Sequence, residues 1–155
     1  MKITKMWMTG SAGLLASGFD IEVDLVDQGS PNIGRFYNPT KEFISFSIYW
    51  PINHISVLQD SPLIPSRISI RSQSQKGLRI TSYSLYVGGN EAAVEQQTID
   101  YEISEDWSVV EILLNNLEWT DTSLGLILHA DAPPGSSILI SAVGLDFETK
   151  PQNTQ

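Results

Sequence analysis

The chain has no cysteine, so neither a disulfide framework nor thiolate chemistry is open to it, and that absence assigns it to no compartment. Charged residues make up only 17% of its 155 residues against 41% hydrophobic, the reverse of the balance that keeps a chain disordered. Basic residues are the scarcest charges: 9 lysines and arginines against 18 aspartates and glutamates leave a net charge of −9 at pH 7. A surface of that sign repels phosphate backbones and anionic headgroups, which argues against nucleic-acid and membrane partners. No apolar run approaches the roughly 18 residues of a membrane-spanning segment. Gly-x-Ser-x-Gly, P-loop and Gly-x-Gly-x-x-Gly sequences are all missing, which removes the commonest hydrolase and nucleotide signatures. The two histidines stand alone: His54 follows a turn, and His129 closes an apolar segment as a satisfied strand-end residue. A Ser–His–Asp set assembles only in space, and nothing here selects one serine for it. The chain is expected to be no enzyme.

What is present is a period of two. Ile44, Phe46, Ile48 and Trp50 alternate with Ser45, Ser47 and Tyr49, and Ile68 and Ile70 alternate with Arg67, Ser69 and Arg71. Phe19, Ile21, Val23 and Leu25 alternate with Asp20, Glu22 and Asp24, and Ile99, Tyr101 and Ile103 with Asp100, Glu102 and Ser104. WSVVEILL and SLGLILHA carry apolar residues on both alternating sets, as central strands do. The last such stretch, SSILISAVGLDFE, does the same, with Ile138 and Ile140 on one set and Leu139, Val143, Leu145 and Phe147 on the other. In LRITSYSLYV the apolar parity changes between Ile80 and Leu85, which predicts a bulge or a change of sheet. With KITKMWM the count is about nine strands, punctuated by turn clusters such as QGSPNIG, DSPLIPS and DAPPGSS. EAAVEQQ is the single short helical alternative. The expected fold is all-β: one antiparallel jelly-roll β-sandwich with Greek-key connections, spanning residues 1–155 and ending in a polar tail at 150–155. Residues 29–41 and 51–66 are expected to be its longest irregular connections.

MWMTGSAGLLASG, behind Lys2 and Lys5, loosely imitates a secretory signal, but Thr9, Gly10 and Ser11 interrupt its apolar part. It reads as a first strand followed by a small-residue loop, GSAGLLASG, whose Leu14 and Leu15 need a surface to bury against.

The run from Trp107 to Glu148, WSVVEILLNNLEWTDTSLGLILHADAPPGSSILISAVGLDFE, has a distinctive order. A Trp-led strand, an acidic-Thr turn, a Gly-Leu strand, a Pro-Gly turn and a last strand ending in an acidic couplet follow one another. This resembles the C-terminal half of galactose-binding-like and carbohydrate-binding-module jelly rolls, including those of bacteriophage tail fibres and other virion proteins. FISFSIYW, SRISIRS and ITSYSLYV extend the resemblance to roughly two-thirds of the chain. It implies a sandwich fold, a role in binding rather than chemistry, and a structural calcium near where first and last strands meet. Asp146 and Glu148 would contribute to that ion.

Two roles follow. The first is a non-enzymatic virion structural protein, a capsid decoration (cement) or tail accessory protein that forms small homo-oligomers and grips capsid or tail proteins. Its expected contacts are Leu14 and Leu15, the acidic row Asp20, Glu22, Asp24 and Asp27, and the tail with Lys150 and Gln152. Asp20, Glu22 and Asp24 would stand about 6–7 Å apart on one strand face, a solvated row too spread to chelate one ion together. The second is a carbohydrate-binding or adhesion module recognising host-surface glycans. Sugars stack on exposed aromatic faces, and Trp119, with Asn115, Asn116 and Asp121 near it, is the preferred platform. Trp7, Trp50 and Trp107 read as core or edge residues.

Overall fold

Period-two alternation becomes β-structure throughout the computed structural model, which describes residues 3–25, 32–52, 57–58, 61–87, 95–114 and 124–149. Its strands are β1 (Ile3–Thr9), β2 (Leu14–Ser17), β3 (Glu22–Leu25), β4 (Gly34–Tyr37), β5 (Ile44–Ile52) and β6 (Val57–Leu58). They continue with β7 (Ser61–Gln75), β8 (Arg79–Val87), β9 (Glu95–Glu102), β10 (Ser108–Leu113), β11 (Leu124–Ala132) and β12 (Ser137–Thr149). Every pairing is antiparallel. One sheet runs β10-β7-β12-β4-β3, with β1 on β12 and β6 on β7; the other runs β2-β5-β11-β8-β9. From β4 onward the chain repeatedly crosses between the two, and β1 lies beside the last long strand, so the fold is a jelly-roll β-sandwich.

The described strands number twelve rather than nine. Three short ones lie in segments expected to be irregular: β2 in GSAGLLASG, β4 within 29–41 and β6 within 51–66. Each is four residues or fewer, too short for a period to show. Glu95 to Gln97, part of the helical alternative, begin β9.

The core lies between the sheets. Phe46, Ile48 and Trp50 of β5 and Leu126 and Leu128 of β11 face Ile68 and Ile70 of β7. Phe36 of β4 stacks on Phe46 across the gap, with ring centroids 6.3 Å apart. Each such side chain contributes about 1.5–3 kcal/mol by leaving water. β12 solves its own two-sided pattern with a bulge. Its register against β7 slips between Ile140 and Ala142, so Ser141 is the extra residue. Ile138 and Ile140 before the slip, and Val143, Leu145 and Phe147 after it, thereby all point into the same core. The expected change of parity in β8 is likewise a bulge, at Thr81, where the register slips against both β11 and β9.

Two expectations fail at the edges. WSVVEILL is no central strand: among the described residues β10 pairs only with β7, and Val109 and Leu113 stand exposed beside buried Ile112. In FDIEVDLVD, Gly18 to Ile21 form a turn closed by Ile21 N–H to Gly18 C=O at 2.9 Å. Ile21 is buried there, but Phe19 is 81% exposed. Gly18 makes this turn with φ of 78°, a conformation glycine adopts without cost.

Candidate functional site

β1 alternates Met6 and Met8 toward the core, which turns Trp7 to the outer face of the first sheet. Its register partner on β12 is Gly144. A β-carbon built on Gly144 would meet Trp7 Cε3 at 2.8 Å and Cδ2 at 2.9 Å. The indole therefore lies flat on the bare backbone of β12, one face down, and remains 48% exposed. A residue with any side chain at 144 would stand the ring off the sheet.

From this plate a band runs diagonally over small residues to a second aromatic. Ala142 on β12 pairs with Arg71 on β7. The Arg71 guanidinium lies over the Trp107 ring, 4.5 Å from its centroid, and donates through Nη1 to Ser141 Oγ at 2.9 Å. The bulge thus has a second effect: it presents the Ser141 hydroxyl to an arginine already fixed on an indole. Stacking and hydrogen bonding immobilise Arg71, and its remaining N–H donors keep their direction. Ser69, beside Gly144 in the same cross-strand row, is buried with its hydroxyl unpartnered. Further along the face, Arg35 lies 4.6 Å from the Tyr37 ring centroid and pairs with Asp24 at 3.1 Å. The face sets one half-exposed indole, Trp7, beside the donors of Arg71 and Ser141, while Trp107 and Tyr37 each carry a guanidinium. A flat ring flanked by donors suits a pyranose with an apolar C–H face and a rim of hydroxyls.

The contact residues expected from the sequence lie elsewhere or apart. Leu14, 59% exposed, faces out of the second sheet opposite Tyr49, whereas Leu15 packs against the protein's own core. Asp20 belongs to the turn before β3, so only Glu22 and Asp24 share a strand face. Asp27, Lys150, Gln152, His54, Asn115, Asn116, Trp119 and Asp121 lie outside the described residues. Where the first and last strands meet, Asp146 and Glu148 of β12 stand opposite Lys5 and Ile3 of β1 in register, and β4 separates β12 from the acidic residues of β3. Among the described residues no three acidic or histidine groups cluster as metal ligands. Trp50 is core, and Trp7 on β1 and Trp107 just before β10 are partly exposed at the sheet's edges, in keeping with the core-or-edge reading. The signal for Trp7 was its place between two methionines; Gly144, its partner, is 137 positions away and carried none.

Among the described residues, Ser84 Oγ approaches His129 Nε2 at 3.5 Å. Ser84 is only 1% exposed, and Asp131 accepts its hydrogen bond from Ser45 at 2.7 Å rather than orienting the imidazole. A buried hydroxyl and an unoriented base do not form a nucleophilic pair. No helix among the described residues is long and apolar enough to cross a membrane.

No protein-family model and no curated protein matches the chain. Solved structures do. A family 29 carbohydrate-binding module from Piromyces equi is similar with a TM-score of 0.56 at 14% identity, over 94% of this chain and 91% of that one. The xylan-binding module CBM86 from Roseburia intestinalis gives 0.54 at 18% identity, over 95% and 96%. The module TmCBM61, in complex with β-1,4-galactotriose, gives 0.54 at 16% identity, over 90% and 86%. At these identities the likeness is one of fold, and it is the jelly roll of carbohydrate-binding modules.

Proposed function

We propose that the protein is a non-catalytic carbohydrate-binding module that holds a polysaccharide on the outer face of its first sheet. The observation that carries this reading is the Trp7 indole lying flat on Gly144 with half its surface open. Arg71 and Ser141 supply donors beside it, and the likeness to carbohydrate-binding folds supports the same class of ligand. Xylan and β-1,4-galactan, suggested by the ligands of those modules, are the first glycans to try, with hydroxyethylcellulose as a neutral β-glucan. Covering one ring face removes roughly 60 Å² of apolar surface, worth about 1.5 kcal/mol or tenfold in Kd. Electrophoresis through gels containing each polysaccharide tests this. Wild-type protein is retarded in at least one gel and Trp7→Ala weakens that retardation about tenfold. Equal retardation of both proteins overturns the assignment of the site.

A second reading places the module on a virion, among capsid or tail proteins or as a small homo-oligomer. It is favoured by Leu14 on β2 and Phe19 in the turn that follows it, large apolar side chains at 59% and 81% exposure. Asp20, Glu22, Asp24 and the polar tail would complete such a contact. Light scattering of the full chain beside one lacking Lys150 to Gln155 tests it. An oligomer that dissociates on truncation supports the contact, and two monomers remove the homo-oligomer.

A further inference from the structure

The second sheet carries a recess of its own on the opposite side of the molecule. Its outer face is crossed by a groove of about 320 Å³, within the size range of small-ligand sites, about 300–1,000 Å³. Bulges make it. The register of β2 against β5 slips after Leu15, and that of β8 against β11 and β9 slips at Thr81, so the sheet bends on both flanks of β11. The bend at Thr81 is sealed by its own hydroxyl, which donates to the His129 carbonyl at 3.3 Å.

Between the flanks the lining is polar and convergent. Ser17 and Ser45 enter from one side, His129 and Asp131 rise from β11, and Gln96 closes the far side on β9. Asp131 takes a hydrogen bond from Ser45 on one carboxylate oxygen, Oδ1, at 2.7 Å, which fixes the carboxylate. No lysine or arginine is among the lining residues described. The nearest guanidinium by register, Arg79, is held by Asp100 at 2.8 Å and Glu102 at 3.4 Å. A ligand here meets a fixed carboxylate, an imidazole, an amide and hydroxyls, with no cation to balance an anionic group. That set recognises vicinal hydroxyls on an uncharged ligand.

We propose that this groove is a second carbohydrate site, selective for a neutral saccharide and read by hydrogen bonding through Asp131, Gln96 and His129. The proposal rests on the carbohydrate-binding reading of the fold and adds a site independent of Trp7. The two sites lie on the outer surfaces of opposed sheets, whose backbones pack about 10 Å apart. They face opposite ways, so one molecule bridges two glycan strands.

The test uses the same gels of xylan, β-1,4-galactan and hydroxyethylcellulose, with wild type, Trp7→Ala, the pair Gln96→Ala with Asp131→Asn, and all three changes together. Near-UV circular dichroism confirms that each variant is folded, and the groove changes are surface ones. Losing a hydrogen bond to a charged group costs about tenfold or more in affinity. The expected result is that Trp7→Ala leaves residual retardation, which the added groove changes abolish. Turbidity with wild-type protein and soluble polysaccharide should also fall when either face is altered. If Trp7→Ala alone abolishes retardation, the groove site is overturned while the carbohydrate-binding function stands. If the groove pair abolishes retardation and Trp7→Ala does not change it, the groove stands and the Trp7 face falls. Wild-type protein unretarded in every gel overturns both.

Discussion

Gly10 sits directly against the carbonyl of Ile140, so closely that a β-carbon on Gly10 would overlap that oxygen. This contact decides how one edge of β12 is shared. β1 covers residues 142–148 of that edge, turns away at Gly10 through a single 3-10 turn, and β4 takes over along 137–140. Gly34, at the head of β4, lies under the Gly10 carbonyl, where its own β-carbon would come within 2.8 Å. Three backbones meet where side chains are absent. Gly10→Ala is therefore expected to cost about 3 kcal/mol or more, lowering Tm by roughly 6–12 °C. Gly77→Ala is the control: φ there is 74° but nothing lies within 4 Å, so the cost is conformational alone, about 1 kcal/mol. Thermal unfolding of the two variants separates crowding from dihedral strain, and equal losses would contradict the packing account.

Gly144 tests the plate without deleting it. The three atoms nearest an alanine β-carbon there all belong to the Trp7 ring, and a half-exposed side chain can swing outward. Gly144→Ala should change stability by no more than about 1 kcal/mol. Retardation in polysaccharide gels should nevertheless fall as far as in Trp7→Ala, with a red shift of tryptophan emission. Undiminished binding would mean that the flat seating of the ring is incidental.

How far the sequence could be read depended on whether a residue's role is local. Alternation in ISFSIYW and RISIR located core strands, because burying one face of a strand repeats every second residue. The Thr81 bulge was legible because apolar parity visibly changes across it. The Ser141 bulge was not: its slip places both alternating sets in one core, and a strand buried on both faces has the same pattern. WSVVEILL misled similarly, since an edge strand with an apolar outer row looks like a central one. The candidate site depended on pairs remote in the chain, Trp7 with Gly144 and Arg71 with Trp107, which only the register brings together.

The acidic row is expected to matter little for stability. Asp24 and Arg35 form an exposed pair at 3.1 Å with side chains 52% and 35% accessible. Such pairs contribute about 0–1 kcal/mol and are screened by salt. Asp24→Asn should shift Tm by no more than about 4 °C, and 0.5 M sodium chloride should erase the difference. Arg35→Ala should cost more, because it also removes the guanidinium from the Tyr37 ring. Comparable shifts for the two variants, persisting in salt, would assign the acidic face a structural weight that its exposure does not suggest.

Tyr83 makes the fold sensitive to alkali. Its ring is fully buried on β8, and its hydroxyl donates to Glu95 Oε1 at 2.9 Å, an oxygen that also accepts from Gln97 at 3.0 Å. Burial first, then the hydrogen bond to Glu95 and the charge of that carboxylate, push the phenol well above the ordinary tyrosine range. Below about pH 10 the phenol is protonated in folded and unfolded chains alike, and its stabilisation is fully present. Above that value the unfolded chain releases the proton while the folded one keeps it, so the unfolded state binds fewer protons and stability falls as pH rises. The slope is about 1.4 kcal/mol per pH unit for this one group. Tyr83→Phe removes the titration, at the cost of one donor to Glu95. Denaturant unfolding at pH 8, 10 and 11 should show the variant less stable than wild type at pH 8. The gap should narrow by about 1 kcal/mol between pH 10 and 11. A constant gap across that range would mean that the phenol ionises in the folded protein as readily as in the unfolded chain.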